Sequence, residues 1–145
     1  MFKKILVPTD GSDLSNRAVR AAIEFAKDHG SAIVGLSVAE ISRYFPISLI
    51  GGGDDLVMLA DSIRQQARDN VEIIRDLAEK SGVPCQVHTA ESANPSDEIL
   101  IASKKYACDS IFIASHGRTG LDKLLLGSQT QKVLAYSKIP VIVFR

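Results

Sequence analysis

The run Ala114-Ser115-His116-Gly117-Arg118-Thr119-Gly120, followed at a fixed distance by Gly127-Ser128, carries residue types suited to holding phosphate. It comes directly after Ile111-Phe112-Ile113, an apolar run that reads as a buried strand. The segment Ser128-Gln129-Thr130-Gln131 reads as the start of a helix. Glycines let the main chain approach phosphate oxygens closely, and the free N–H groups and positive dipole end of a helix attract an anion. The spacing Gly117-x9-Gly127-Ser128 also admits a plainer reading, a loop packed by Leu121 and Leu124-Leu125-Leu126 with Ser128 as an ordinary N-cap. Ser128 and Gln131 are spaced as a capping box. Capping and anion binding are compatible, because a first turn has several free N–H groups.

Asp10 is the second residue of interest. It follows Ile5-Leu6-Val7-Pro8-Thr9, and Asp10-Gly11 is common turn chemistry. The alternative is a carboxylate that faces a crevice at the end of the first strand. His116 has no orienting partner identifiable in the sequence, as a general base would need, and reads as a residue that shapes its loop. Ser12 and Ser115 stand in no nucleophile elbow, and His29, His88 and His116 are too scattered to suggest a metal site. Arg118 and Lys123 could neutralise phosphate or could be solvated surface charges. No G-x-x-x-x-G-K-[ST] and no G-x-G-x-x-G occurs, so neither the Walker-type loop nor the dinucleotide fingerprint is present.

These residues must be positioned by an alternating set of elements. Ile5-Leu6-Val7 forms a short strand closed by Pro8. Leu14, Ala18, Ala21, Ala22, Phe25 and Ala26 recur at helical spacing, with Gly30 as the stop. Ala32 to Val38 reads as a second strand. Ile63, Ala67, Val71, Ile74, Leu77 and Ala78 mark a second helix ending at Ser81-Gly82. Val83 to Thr89, with Pro84 near its start, suits an edge strand. Asn94-Pro95-Ser96-Asp97-Glu98 combines an N-cap candidate, a first-position proline and first-turn acids. A fourth helix from Ser128 to about Tyr136 and a last strand, Val141-Ile142-Val143-Phe144, complete the set. Strands alternating with helices imply a parallel sheet with helices on both faces, and continuous apolar strands fit burial on both sides. In such open sheets the first and fourth strands are neighbours, and ligands bind where the strand order reverses. Ala39 to Asp55, with Gly51-Gly52-Gly53, is the one long irregular stretch and is expected to be a flap.

Composition bounds the partners. The chain has 145 residues, enough for one domain spanning 1–145, and its 17 basic and 17 acidic side chains cancel. That balance leaves no electrostatic footprint for nucleic acid or an anionic membrane. Cys85 and Cys108 are too few for a disulfide scaffold and read as small buried apolar residues. Lys3-Lys4 precedes only three apolar residues before Pro8, too short a run for a signal peptide, and no window approaches a membrane span. A cytoplasmic location is expected.

Taken together, the opening Lys3 to Ser12 (K-K-I-L-V-P-T-D-G-S), the loop with Gly117, Gly127 and Ser128, and the closing Ile139-Pro140-Val141-Ile142-Val143 resemble the universal stress protein family along the whole chain. Members carry G-x2-G-x9-G-[ST] between the fourth strand and fourth helix. Here the first glycine is replaced by Ala114. The resemblance implies a three-layer α/β/α sandwich of the adenine nucleotide alpha hydrolase-like type, with a five-stranded parallel sheet in the order 3-2-1-4-5. It implies that Asp10, flanked by Pro8 and Thr9, meets ribose or adenine, and that Val38 offers main-chain groups to adenine. With Ala114, Gly117, Gly127, Ser128 and Gln129 these make up the nucleotide-binding set it implies. The implied ligand is ATP, with Mg²⁺ or Mn²⁺ carried by the phosphates, and the implied role is a stress sensor or regulator with at most slow ATP hydrolysis. The family also contains members that do not bind ATP. A dimeric interaction protein without nucleotide is therefore the alternative, and Ala114 is its main support. A homodimer through Val141 to Phe144 is expected in either case: the strand is apolar, carries no charge before Arg145, and no later strand follows to cover its edge.

Overall fold

The computed structural model describes residues 2–41, 53–118 and 126–145. The apolar runs become five parallel strands: β1 (Lys4–Pro8), β2 (Ala32–Ala39), β3 (Cys85–Glu91), β4 (Ser110–Ala114) and β5 (Val141–Phe144). Between them lie α1 (Asp13–His29), α2 (Gly53–Lys80), α3 (Pro95–Lys105) and α4 (Ser128–Tyr136). The strand order is β3-β2-β1-β4-β5, the order that the family resemblance implies. β1 pairs with β2 from Lys4↔Ala32 to Pro8↔Leu36, and with β4 at Ile5↔Ser110 and Leu6↔Ile111.

Alternation along the strands divides the core into two layers. Ile5, Val7, Ile33 and Phe112 pack with Val19 and Ile23 of α1 and Ile74 of α2 on one face. Leu6, Val34, Leu36, Ile111 and Ile113 pack with Ile99 of α3 and Val133 of α4 on the other. The three inner strands, β2, β1 and β4, are largely buried on both sides, which is why their sequences read as apolar runs. β3 alternates between half-buried and exposed residues, as an edge strand should. Cys108 is buried, whereas Cys85 is only half-buried, on the edge strand; desolvation pushes both thiols up to about 11, which favours the protonated form at neutral pH.

Helix ends follow local chemistry. Ser12 caps α1 by accepting the Ser15 N–H, and Gly30 ends it at φ +66°, a left-handed conformation that favours glycine. α2 begins at Gly53, ten residues ahead of the first periodic residue, Ile63, expected for it. Its opening turns carry Val57-Met58-Leu59, a contiguous and exposed apolar triplet that shows no helical period. Asn94 does stand at the N-cap of α3, but its side chain makes no capping bond. Residues 42–52, most of the expected flap, lie outside the described residues, as do Lys123 and the expected packing leucines Leu121, Leu124 and Leu125.

Candidate functional site

A cleft of about 780 Å³ opens at the carboxyl ends of the strands. It lies at the β1–β4 junction, where the strand order reverses. All nine residues carried over from the family pattern line it: Pro8, Thr9, Asp10, Val38, Ala114, Gly117, Gly127, Ser128 and Gln129.

The β1–α1 turn forms one wall. Thr9 spends its polar groups on the turn: its N–H donates to Leu36 O at 2.8 Å, and its hydroxyl bonds Ser15 Oγ at 3.0 Å and accepts the Gly11 N–H at 3.1 Å. Asp10 Oδ1 accepts the Ser12 N–H at 3.0 Å, and Oδ2 accepts the Arg118 N–H at 2.7 Å. Burial on its own would raise the Asp10 carboxyl. The Ser12 side chain, the Ser12 and Arg118 N–H groups and the Ser15 hydroxyl outweigh it and hold the carboxyl below the ordinary aspartate value. Asp10 therefore organises its turn and also lines the cleft.

β2 supplies a main-chain edge. Leu36 O faces β1, where it accepts the Thr9 N–H, whereas Ala39 O faces β3, where it accepts the Ser92 N–H. Backbone groups of residues two apart point the same way along a strand. Val38 therefore directs its N–H and C=O toward the β1 side, beyond the last β1 pairing at Pro8↔Leu36. One donor and one acceptor stand together at the open end of the sheet.

The β4–α4 side explains its glycines. A side chain on Gly117 would collide with Asp10 Oδ2, and one on Gly127 would place its Cβ 3.2 Å from His116 Cα. Both positions need to be small because protein atoms already crowd them. The expected capping box is not formed. Gly127, not Ser128, is the N-cap of α4, and among the described residues no side chain caps the helix. The Gly127 N–H donates to Ser115 O at 2.7 Å, which holds Gly127 at the cap, and α4 itself starts at Ser128 as expected. Gln131 turns back to donate to Leu126 O at 2.6 Å. The first intrahelical bond is Gln131 N–H to Gly127 O, so the N–H groups of residues 128–130 are not used by the helix. Ala114 ends β4 without positive φ, and its C=O accepts the Thr130 hydroxyl at 2.9 Å. His116 bonds the Ser115 hydroxyl at 3.0 Å, in keeping with a loop-shaping role.

Sequence reasoning missed the α2 wall. Asn70, only 6 % exposed, donates to Ser37 Oγ at 3.2 Å and accepts from Gln66 Nε2 at 3.1 Å, and all three side chains line the cleft. A side chain on Gly11, which has φ +77°, would strike Asn70 Oδ1. The signal was available: Asn70 shares the buried face of α2 with Ala67, Val71, Ile74 and Ala78. A polar residue within an apolar stripe marks a buried contact that must be satisfied. Among the described residues, no group of three His, Cys, Asp or Glu side chains is placed to hold a metal ion.

Fold and cleft together define an open, doubly wound α/β protein with a cavity at its topological switch point. The chain belongs to the universal stress protein family, whose model, described as "Universal stress protein family", matches residues 1–145. It is 32 % identical over 149 residues to universal stress protein YxiE of Bacillus subtilis, with all of both chains covered. The solved structure of the protein MJ0577 superposes with a TM-score of 0.83 at 27 % identity, covering 99 % of this chain and 96 % of that one. The universal stress protein of Archaeoglobus fulgidus, solved in complex with dAMP, shares the fold at a TM-score of 0.68 and 20 % identity, with both chains fully covered.

Proposed function

We propose that this family member binds ATP in the switch-point cleft and acts as a cytoplasmic stress sensor or regulator, with at most slow ATP hydrolysis. The observation that carries the reading is the N-terminus of α4, whose first N–H groups have no side-chain partner among the described residues, beside a cleft lined by Gly117 and Gly127. Such an end attracts phosphate through aligned N–H groups and the helix dipole. At the other side, the paired N–H and C=O of Val38 complement the donor–acceptor edge of adenine. The dAMP complex of the Archaeoglobus fulgidus relative supports an adenine nucleotide as the ligand. Asp10 lies beside this edge and can receive ribose hydroxyls while keeping its two backbone donors, since a carboxylate has about four acceptor sites. Mg²⁺ or Mn²⁺ would travel on the phosphates. Among the described residues, the carboxylates lining the cleft are Asp10 and Glu40.

Two unpaired cysteines fit a reducing compartment, and among the described residues no helix is long and apolar enough to cross a membrane. The proposed assembly is a homodimer through β5, an edge strand of the sheet. Calorimetric titration with ATP and Mg²⁺ tests the central claim. Binding with a matching rise in melting temperature is expected, and the absence of both heat and thermal shift at millimolar ATP overturns it.

A further inference from the structure

Gln129 lies at the meeting of two helix ends. It is the second residue of α4, and its side-chain Oε1 accepts the Ser96 N–H of α3 at 2.9 Å. Ser96 is the second residue of α3, a helix whose own N-cap, Asn94, makes no side-chain bond. Gln129 thus caps a neighbouring helix from inside the cleft wall. The chemistry fixes which way its amide points. A backbone N–H can only donate, so the atom facing Ser96 is the carbonyl oxygen. The amide nitrogen, with two hydrogens, lies at the other end. Among the described residues it has no hydrogen-bond partner. Ser96 is wholly buried and its hydroxyl is also unpartnered among them, so this junction carries unspent polar capacity.

We propose that Gln129 sets the selectivity of the cleft for polyphosphate over monophosphate nucleotides. The inference rests on reading the cleft as a nucleotide site. Its carbonyl end is held by α3, and Gln129 lines the cleft next to Ser128, so its unspent Nε2 donor belongs to the same wall as the start of α4. The side chain therefore joins the phosphate-binding surface as a neutral donor in a fixed direction. It also couples that surface to the α3 N-terminus, so occupancy by a charged tail and the packing of α3 on α4 depend on one amide.

Glutamate at this position separates the two roles. Its carboxylate still accepts the Ser96 N–H, and negative charge suits a helix N-terminus. It loses the donor and places like charge beside the phosphates, a repulsion that grows with phosphate number. The experiment measures ATP and AMP affinities by calorimetry, and melting temperatures without nucleotide, for wild type, Gln129→Glu and Gln129→Leu. Gln129→Glu should melt at or above the wild-type temperature while its ATP-to-AMP affinity ratio falls at least tenfold. Gln129→Leu should melt lower, having lost the cap. An unchanged ratio in Gln129→Glu overturns the inference. So does a melting temperature that falls as far as in Gln129→Leu, since the cap would then not exist. A wild type that binds both nucleotides, with the ratio preserved in Gln129→Glu, removes this inference alone. A wild type that binds neither removes the nucleotide reading and this inference with it.

Discussion

Asp10 Oδ2 accepts the backbone N–H of Arg118 at 2.7 Å, a bond that spans 108 positions of sequence. It joins the turn after β1 to the loop after β4, and both residues line the cleft. The same oxygen occupies the space that a side chain on Gly117 would need. Asp10 and Gly117 therefore form a single unit, and the first two predictions test it.

Gly117→Ala should break this link. The Asp10 carboxylate has to move, which costs its charge-assisted bond to Arg118, about 1.5–3 kcal/mol. Asp10→Ala removes the same bond and also makes room for the new methyl. The double variant should therefore be much less destabilised than the sum of the two singles. Urea unfolding of the four proteins measures the coupling, and strict additivity would show that the two residues act separately.

The Asp10 carboxyl is held below its ordinary value, so the stability it contributes is present above the unfolded-state value near 3.8 and is lost as pH falls through the lower folded-state value. Asp10→Asn, which does not titrate, should be less stable than wild type at pH 7. The gap should narrow steadily below about pH 4, as wild type loses its own charge. Parallel urea titrations from pH 7 to pH 2.5 measure the gap. A constant gap across that range contradicts the assignment.

Gly127→Ala places a methyl against the His116 backbone, tighter than ordinary packing. The entry of α4 must shift, costing about 1 kcal/mol or more even without ligand. ATP affinity should fall roughly tenfold, as for the loss of one charge-assisted contact, and Gly127→Val should lose more on both counts. Thermal melts and calorimetry on the same samples distinguish the causes. A variant with unaltered melting and weakened ATP would show that the methyl obstructs the ligand and leaves the His116 loop in place.

The proposed dimer has its own test. Pro140 O and Phe144 O face β4, where they accept the N–H groups of Ile111 and Ser115. Val141 and Val143 therefore turn their backbone groups outward. Val143→Pro removes an outward N–H and leaves the β4 ladder intact, as proline is tolerated on strand edges. Sedimentation should show a dimer for wild type and a folded monomer for the variant. A wild type that is monomeric at micromolar concentration rejects the edge pairing.

Strands and most helix boundaries were legible because each carries a local cause. Gly30 must adopt positive φ, Pro95 opens α3, and apolar runs mark strands covered on both faces. The opening of α2 was not legible, because Ala60 is the one buried residue in its first three turns and sets no period. Spacing puts the cap of α4 at Ser128, but the loop folds back so that Ser115 O, twelve residues earlier, accepts the Gly127 N–H and makes Gly127 the cap. The glycines of the loop were read from spacing as allowing close approach of phosphate. Their crowding by Asp10 and His116 could not be seen until residues remote in sequence were brought together.

The reversal of strand order also dictates when the cleft can exist during folding. β1 emerges first yet lies at the centre of the sheet, and its β4 edge stays bare until residue 110 is made. The β1, β2 and β3 units can assemble through contacts between successive segments, whereas closure of β1 onto β4 bridges more than a hundred residues and carries the larger loop entropy. Asp109, which accepts the Lys3 and Lys4 N–H groups at 2.8 and 3.2 Å, fastens that late seam at its far end. A molecule held between the β1 turn and the β4 loop would then have nothing to grip until β4 has paired with β1. Its effect falls on the rate of unfolding and leaves the rate of folding unchanged.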